Sequence, residues 1–175
     1  FRILFKSIKD PDYILNFIQR FGIYKKAKTS SSIWFHAVSL GEVISSEKII
    51  KKLLISNEIT LSVSTPTGLR HAKKLYGNEI DIVYLPYDFW FFVNGFFVTF
   101  NPKALIIYET EIWPSMIMLS KKNKIPVILC NGRLSNKSSK KYLRFKNFFK
   151  FIFSNIDLLL VQDQSHKNNF VKITG

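Results

Sequence analysis

Negative charge is scarce in this chain: 12 Asp and Glu stand against 26 Lys and Arg among 175 residues, a formal net charge of +14. That deficit disfavours cationic ligands and favours an anionic partner: nucleic acid, a membrane surface or a phosphorylated ligand. A generic basic surface, with Lys favoured by a biased genome, is the plainer alternative. Cysteine is almost missing too. Cys130 stands alone, which excludes an internal disulfide and fits a reducing compartment. No apolar run reaches the roughly 20 residues that a bilayer-crossing helix needs. Neither a Walker A loop nor a G-x-G-x-x-G turn occurs. His36, His71 and His166 are scattered without metal-ligand spacing. Repeats and low-complexity linkers are also lacking. The first residue is Phe1, which suggests a fragment or processed product whose earlier part carried any signal or anchor.

What is present suffices for one domain with a sizeable core, since 47% of the residues are apolar. Six short apolar runs, 33–38, 59–64, 80–85, 104–108, 126–130 and 157–161, read as strands. Most are continuous rather than alternating, as strands covered on both faces are. Helix-like segments near 42–55, 67–76, 88–100, 112–123, 140–154 and 164–171 fall between them. This alternation predicts an α/β fold, a doubly wound parallel sheet with right-handed crossovers. Residues 1–30 form a separate lead-in with a helix over 12–21, and the Rossmann-like domain covers 31–175.

Two acidic loops follow strands in this scheme. Glu109 and Glu111 come just after 104–108, and Glu42 comes after 33–38. In a parallel sheet both open on the carboxyl edge, where such folds bind ligands. Glu42 has two readings. Ser39-x-x-Glu42 matches a capping box, which needs no function. As a base, Glu42 would lie at a helix N-terminus whose field keeps it ionised and able to deprotonate a hydroxyl. Glu109 and Glu111 would point the same way if extended. Structurally, one would pair with a local Lys and the other would cap the helix near Ile112; functionally, they would bind sugar hydroxyls or fix a cation. Thr65-Pro66-Thr67-Gly68 places Thr65 as an N-cap, and both helix starts there favour anions.

Three further segments stand out. The polar loop 131–139, with Arg133 and Ser135, suits an anion or plain solvation. The aromatic run 88–98 is more apolar than one buried stripe requires, so part of it is expected at the surface, for a membrane interface or acyl chains. The segment 137–153 interleaves Lys and Arg with Tyr and Phe. It reads as a surface helix with an apolar inner face, with anionic lipid or RNA as alternatives. Asp10-Pro11-Asp12 has the D-x-D form of metal-dependent glycosyltransferases but precedes every strand.

Five pieces in order resemble the Kdo transferases, which attach 3-deoxy-D-manno-octulosonic acid to the lipid A precursor. They are His36-Ala37-Val38-Ser39-Leu40-Gly41-Glu42-Val43, Ser64-Thr65-Pro66-Thr67-Gly68, Tyr84-Leu85-Pro86-Tyr87-Asp88, Glu109-Thr110-Glu111-Ile112-Trp113-Pro114 and Asn131-Gly132-Arg133-Leu134-Ser135. Leu40 and Gly132 stand where the family pattern has Val and Ala. The resemblance implies the N-terminal, acceptor-binding half of a GT-B glycosyltransferase. The donor, CMP-Kdo, would be held mainly by a C-terminal domain absent from these residues. It implies inverting, metal-independent chemistry without a cofactor, at the cytoplasmic face of the inner membrane, in lipopolysaccharide core biosynthesis. Glu42 matches the family's proposed base and Glu111 a second important acid. Ser39, Gly41, Thr65, Thr67, Glu109, Arg133 and Ser135 are expected to contact substrate. A non-catalytic lipid-binding module and a basic RNA-binding domain are the alternatives, although no nucleic-acid motif is present.

Overall fold

A computed structural model describes residues 14, 16–28 and 31–175. The Asp10-Pro11-Asp12 triplet and the first part of the expected 12–21 helix lie outside the described residues. The described part of that helix is a short 3-10 turn, Phe17–Phe21.

Six strands form one all-parallel sheet: β1 (Ile33–His36), β2 (Ile59–Val63), β3 (Asp81–Tyr84), β4 (Ala104–Tyr108), β5 (Val127–Gly132) and β6 (Leu158–Val161). Their order is β3-β2-β1-β4-β5-β6. Among the described residues the α-helices are α1 (Leu40–Leu54), α2 (Pro66–Tyr76), α3 (Trp90–Phe100), α4 (Pro114–Lys122), α5 (Asn136–Leu143), α6 (Lys146–Phe153) and α7 (Gln164–Thr174). This is the predicted doubly wound α/β, Rossmann-like fold. The strand order reverses between β1 and β4, and such a reversal opens a crevice at the carboxyl ends of the two strands.

The pleat sorts the core into two layers. Ile33 and Phe35 face α1 and α2, packing with Val43, Ile50, Leu69 and Ala72. Trp34 faces the opposite side with Leu105 and Ile107, against Val93, Phe96 and Phe100 of α3 and Met116 and Ile117 of α4. Trp34 stacks on Phe96 with centroids 3.8 Å apart and planes 18° apart. Such a pair adds about 0.5–1.5 kcal/mol beyond its buried area, and Phe96→Ala would cost roughly 3–5 kcal/mol.

Three expectations need correction. The segment 140–154 is not one helix: α5 ends at Leu143, Phe145 leaves helical geometry at φ −123° and ψ 44°, and α6 begins at Lys146. The strand over 157–161 is an edge strand, with Leu158 and Leu160 exposed rather than covered on both faces. The helix expected from 112 starts at Pro114. Its first amides, those of Ser115 and Met116, donate to the Asp88 carboxylate at 3.1 and 3.0 Å, so a residue from another loop caps it.

The lead-in is fastened to the β2–β3 side of the sheet. Arg20 Nη2 donates to Ser64 O at 3.0 Å, Tyr84 N donates to Gln19 Oε1 at 2.9 Å, and Tyr24 OH donates to Tyr84 O at 3.0 Å. Gly22, at φ +72°, meets α3 backbone to backbone: a Cβ on it would strike Phe92 O, and a Cβ on Gly95 would strike Gly22 O. Only glycine fits both demands.

Candidate active site

Glu42 and the Glu109–Glu111 loop come together at the β1/β4 reversal. The loop after β1 is tied to the loop after β2 by the Ser64 N–H, which donates to Val38 O at 2.9 Å. Gly68 lets the starts of α1 and α2 touch, because a Cβ there would lie 3.4 Å from Leu40 N. Ser39 and Thr65 are the two N-caps: Ser39 Oγ accepts from Glu42 N at 3.4 Å, and Thr65 Oγ1 accepts from Gly68 N at 3.1 Å. Two helix N-termini therefore end at one edge, side by side.

Glu42 is buried at 8% exposure. Its Oε2 accepts the Val38 N–H at 2.7 Å, and its Oε1 accepts the Ser39 hydroxyl at 2.9 Å. The capping box thus forms with its return bond shifted to Val38. The sequence argument had the helix field holding Glu42 ionised at a low pKa. Burial instead raises the pKa; the Val38 and Ser39 donors pull it down, and the Glu109 charge pushes it up again. The desolvated carboxylate is a stronger base than a solvated one.

Glu109 and Glu111 do not share an extended segment. Glu109 sits at φ +63°, a left-handed conformation that a non-glycine residue rarely takes, and this turns the chain between the two carboxylates. Asn131, next to it across the β4–β5 pairing, is also left-handed at φ +57°. Such conformations cluster where surrounding structure enforces them, functional sites included. The enforcing contacts are visible. Glu109 N donates to Cys130 O at 2.9 Å, Arg133 N donates to Thr110 Oγ1 at 2.8 Å, and Thr110 Oγ1 donates back to Arg133 O at 2.5 Å. Arg133 Nη1 lies 3.8 Å from Glu109 Oε1, both side chains partly exposed, a contact worth little by itself. The local partner of Glu109 is therefore Arg133 rather than a Lys. Glu111 does not cap α4, a role taken by Asp88.

Burial pushes the Glu111 pKa up to about 7, the neighbouring Glu42 charge adds to the rise, and Trp113 opposes it. No salt bridge reaches Glu42 or Glu111 among the described residues. Glu42 and Glu111 repel each other, and burial together with that repulsion makes Glu111 the group that holds a proton near neutrality. That pair can accept a proton from a hydroxyl placed at the crevice.

The other expected residues spread along the same edge. Gly41 and Thr67 are exposed at the starts of α1 and α2, and Ser135 is exposed as the N-cap of α5, accepting from Ser138 N at 3.1 Å. Among the described residues, no group of three His, Cys, Asp or Glu is placed to hold a metal. The sequence names Trp113 and His36 as parts of two family-like pieces, but by itself it assigns neither of them a role at the site. His36 is fully buried at the end of β1, with ring centroids 6.3 Å from Trp113. A histidine ending a central strand beside an acidic loop was the available signal.

Comparison with known proteins agrees with this geometry. Residues 16–175 match the family described as 3-deoxy-D-manno-octulosonic-acid transferase (kdotransferase). The chain is 33% identical over 162 residues to a 3-deoxy-D-manno-octulosonic acid transferase of Haemophilus influenzae, covering 90% of this chain and 38% of that protein. It is 29% identical over 178 residues to the Chlamydia muridarum protein of the same description, covering 98% and 41%. A bifunctional glycosyltransferase/methyltransferase of Fusobacterium nucleatum is 30% identical over 154 residues, covering 86% of this chain and 24% of that protein. The chain therefore spans about two fifths or less of the length of these relatives.

Proposed function

The chain belongs to the 3-deoxy-D-manno-octulosonic-acid transferase family, and from that premise we propose that it is the acceptor-binding half of a GT-B Kdo transferase. In this reading the lead-in, residues 1–30, and the Rossmann-like domain, 31–175, present a lipid A precursor to a donor domain that lies further along the protein. That second domain holds CMP-Kdo. The reaction is inverting, needs no metal or other cofactor, and takes place at the cytoplasmic face of the inner membrane. Nucleic acid is not a partner.

The observation that carries the reading is the buried Glu42 carboxylate at the β1/β4 reversal, in the first turn of α1 and near enough to Glu111 to act on its charge. Glu42 is the base. It removes the proton from the acceptor's primary hydroxyl as that oxygen attacks the anomeric carbon, and CMP leaves from the opposite face. Glu111 is the second acid, whose proton affinity is raised by burial and by the neighbouring Glu42 charge. Ser39, Gly41, Thr65 and Thr67 line the helix starts that receive the acceptor, while Glu109, Arg133 and Ser135 frame the far side. The guanidinium of Arg133, 57% exposed on its side chain, contacts an acceptor phosphate. The exposed rings of Phe89, Trp90 and Phe91 meet acyl chains or the membrane surface, and the basic surface meets anionic headgroups.

Turnover of CMP-Kdo with lipid A precursor by the full-length protein tests this. Glu42→Gln should lower kcat by about 10²–10⁴; near-normal turnover would return Glu42 to a capping role. The isolated 175-residue chain should give no product above background, because positioning the donor within about 3–3.5 Å of the acceptor oxygen requires the other domain.

A further inference from the structure

Two buried charges of opposite sign stand at the ends of one chain of hydrogen bonds. Arg20, in the lead-in turn, is 6% exposed, and Glu42 is 8% exposed. Arg20 Nη2 donates to Ser64 O at 3.0 Å. Ser64 N donates to Val38 O at 2.9 Å. Val38 N donates to Glu42 Oε2 at 2.7 Å. Ser64 and Val38 lie just past the ends of β2 and β1, so these bonds continue the strand pairing out to the carboxyl edge. Each of the two residues is bonded on both sides, and a shift of one carries the other with it.

A buried guanidinium is costly unless its donors are used. No carboxylate pairs with Arg20 among the described residues. Its charge rests on the Ser64 carbonyl and on the Tyr84 ring, whose centroid is 4.3 Å from the guanidinium carbon. Fastening the lead-in does not call for that cation, because Gln19 and Tyr24 already hold Tyr84 N and O with neutral groups. Arg20 reaches one loop further, to the residue before the α2 N-cap. At the far end, the Val38 N–H and the Ser39 hydroxyl take one lone pair from each Glu42 oxygen. Each oxygen keeps another for a hydroxyl. Burial raises the Glu42 pKa, and the Val38 bond is the strongest of those opposing it. We infer that Arg20 is a positioning residue of Glu42: through Ser64 and Val38 it fixes the N–H that orients the carboxylate at the crevice. The inference rests on the reading of Glu42 as the base.

The test separates the two ideas. In the full-length protein, exchange of the Val38 and Ser64 amide hydrogens is followed residue by residue. Arg20→Met keeps an apolar stem and removes the donors without burying a polar head. Both amides should then exchange roughly tenfold or more faster, the usual worth of one bond to a charged group. The Leu105 amide, bonded to Pro126 O in the sheet, is the control and should not change. Turnover should fall with them: kcat by about ten- to hundredfold, with KM little changed. Arg20→Lys keeps a charged donor and should bring exchange and kcat back toward wild type. Should the methionine variant not fold, Arg20→Gln removes the charge and carries the same expectations. Unmoved Val38 and Ser64 amides in a folded variant overturn the inference. So does an acceleration that Leu105 shares, the mark of a global loss of stability. Faster exchange at the two amides with normal kcat, where Glu42→Gln is inactive, also overturns the positioning role. Near-normal turnover by Glu42→Gln would instead overturn Glu42 as the base, and with it the positioning role, whatever the exchange rates show.

Discussion

Ser39 and Glu42 hold each other from both ends: the Ser39 hydroxyl donates to Glu42 Oε1 at 2.9 Å while accepting the Glu42 backbone N–H at 3.4 Å. One carboxylate therefore belongs both to a helix cap and to the candidate site. The two roles part under mutation. Ser39→Ala should cost about 1 kcal/mol in urea unfolding, as lost N-caps do. Glu42→Gln keeps an oxygen for the Val38 N–H, and its amide can donate to the Ser39 hydroxyl, so its stability should stay within about 0.5 kcal/mol of wild type. A Glu42→Gln loss as large as that of Ser39→Ala would mean the carboxylate is chiefly structural.

Glu111 should make the protein less stable as pH rises. Its folded pKa, about 7, lies above its ordinary 4.5, so the folded state binds more protons than the unfolded state between those values. Stability linked to this group is present below 4.5 and is lost on going up through 7. Glu111→Gln removes that loss. The variant should match wild type near pH 4 and exceed it above pH 7, read as a growing difference in urea midpoints. A difference that does not change with pH would show that Glu111 is solvated.

His36 works in the opposite sense. Its folded pKa, about 4, lies below its ordinary 6.5, so the unfolded state takes up the extra proton. The neutral ring's contribution is complete above 6.5 and is lost as pH falls to about 4, a total of about 3 kcal/mol at 1.36 kcal/mol per unit. In the Glu111→Gln background this slope should stand clear, with unfolding free energy rising across that window. The histidine carbon resonance should show no titration above pH 5 in the folded state. A midpoint near 6.5 would mean that His36 is reached by water.

The exposed aromatic edge of α3 predicts lipid binding. Trp90 and Phe91 are 44% and 65% exposed, so replacing both with Ser leaves the core intact. Vesicles containing anionic lipid should bind the variant roughly tenfold or more weakly, given the transfer free energies of these rings. Added salt should weaken wild-type binding as well. Indifference of the wild-type chain to anionic vesicles at low salt would remove the membrane role.

The parallel, doubly wound architecture was legible because its signals are local: continuous apolar runs for covered strands, capping residues such as Ser39 and Thr65 for helix starts. The carboxyl-edge position of Glu42, Glu109 and Glu111 followed from that. What escaped was set at long range or by conformation. Asp88 caps α4 from another loop, so nothing beside Pro114 announced the true start. The break at Arg144 and Phe145 carries neither Gly nor Pro. The left-handed turn at Glu109 is imposed by the Thr110–Arg133 exchange, on a residue that does not favour it. The direction of the Glu42 shift was misjudged because helix field and burial oppose each other, and their balance depends on depth, which a sequence does not show.

The Gly22–Gly95 contact has a mechanical consequence. It joins the lead-in to α3 without an intervening side chain, and two residues earlier Arg20 is bonded to Ser64 at the start of the α2 loop. Backbone on backbone has no rotamer with which to yield. The aromatic helix and the carboxyl edge are thereby parts of one stiff bracket, and any surface that seats Phe89 and Phe91 also sets the tilt of the edge that carries Glu42.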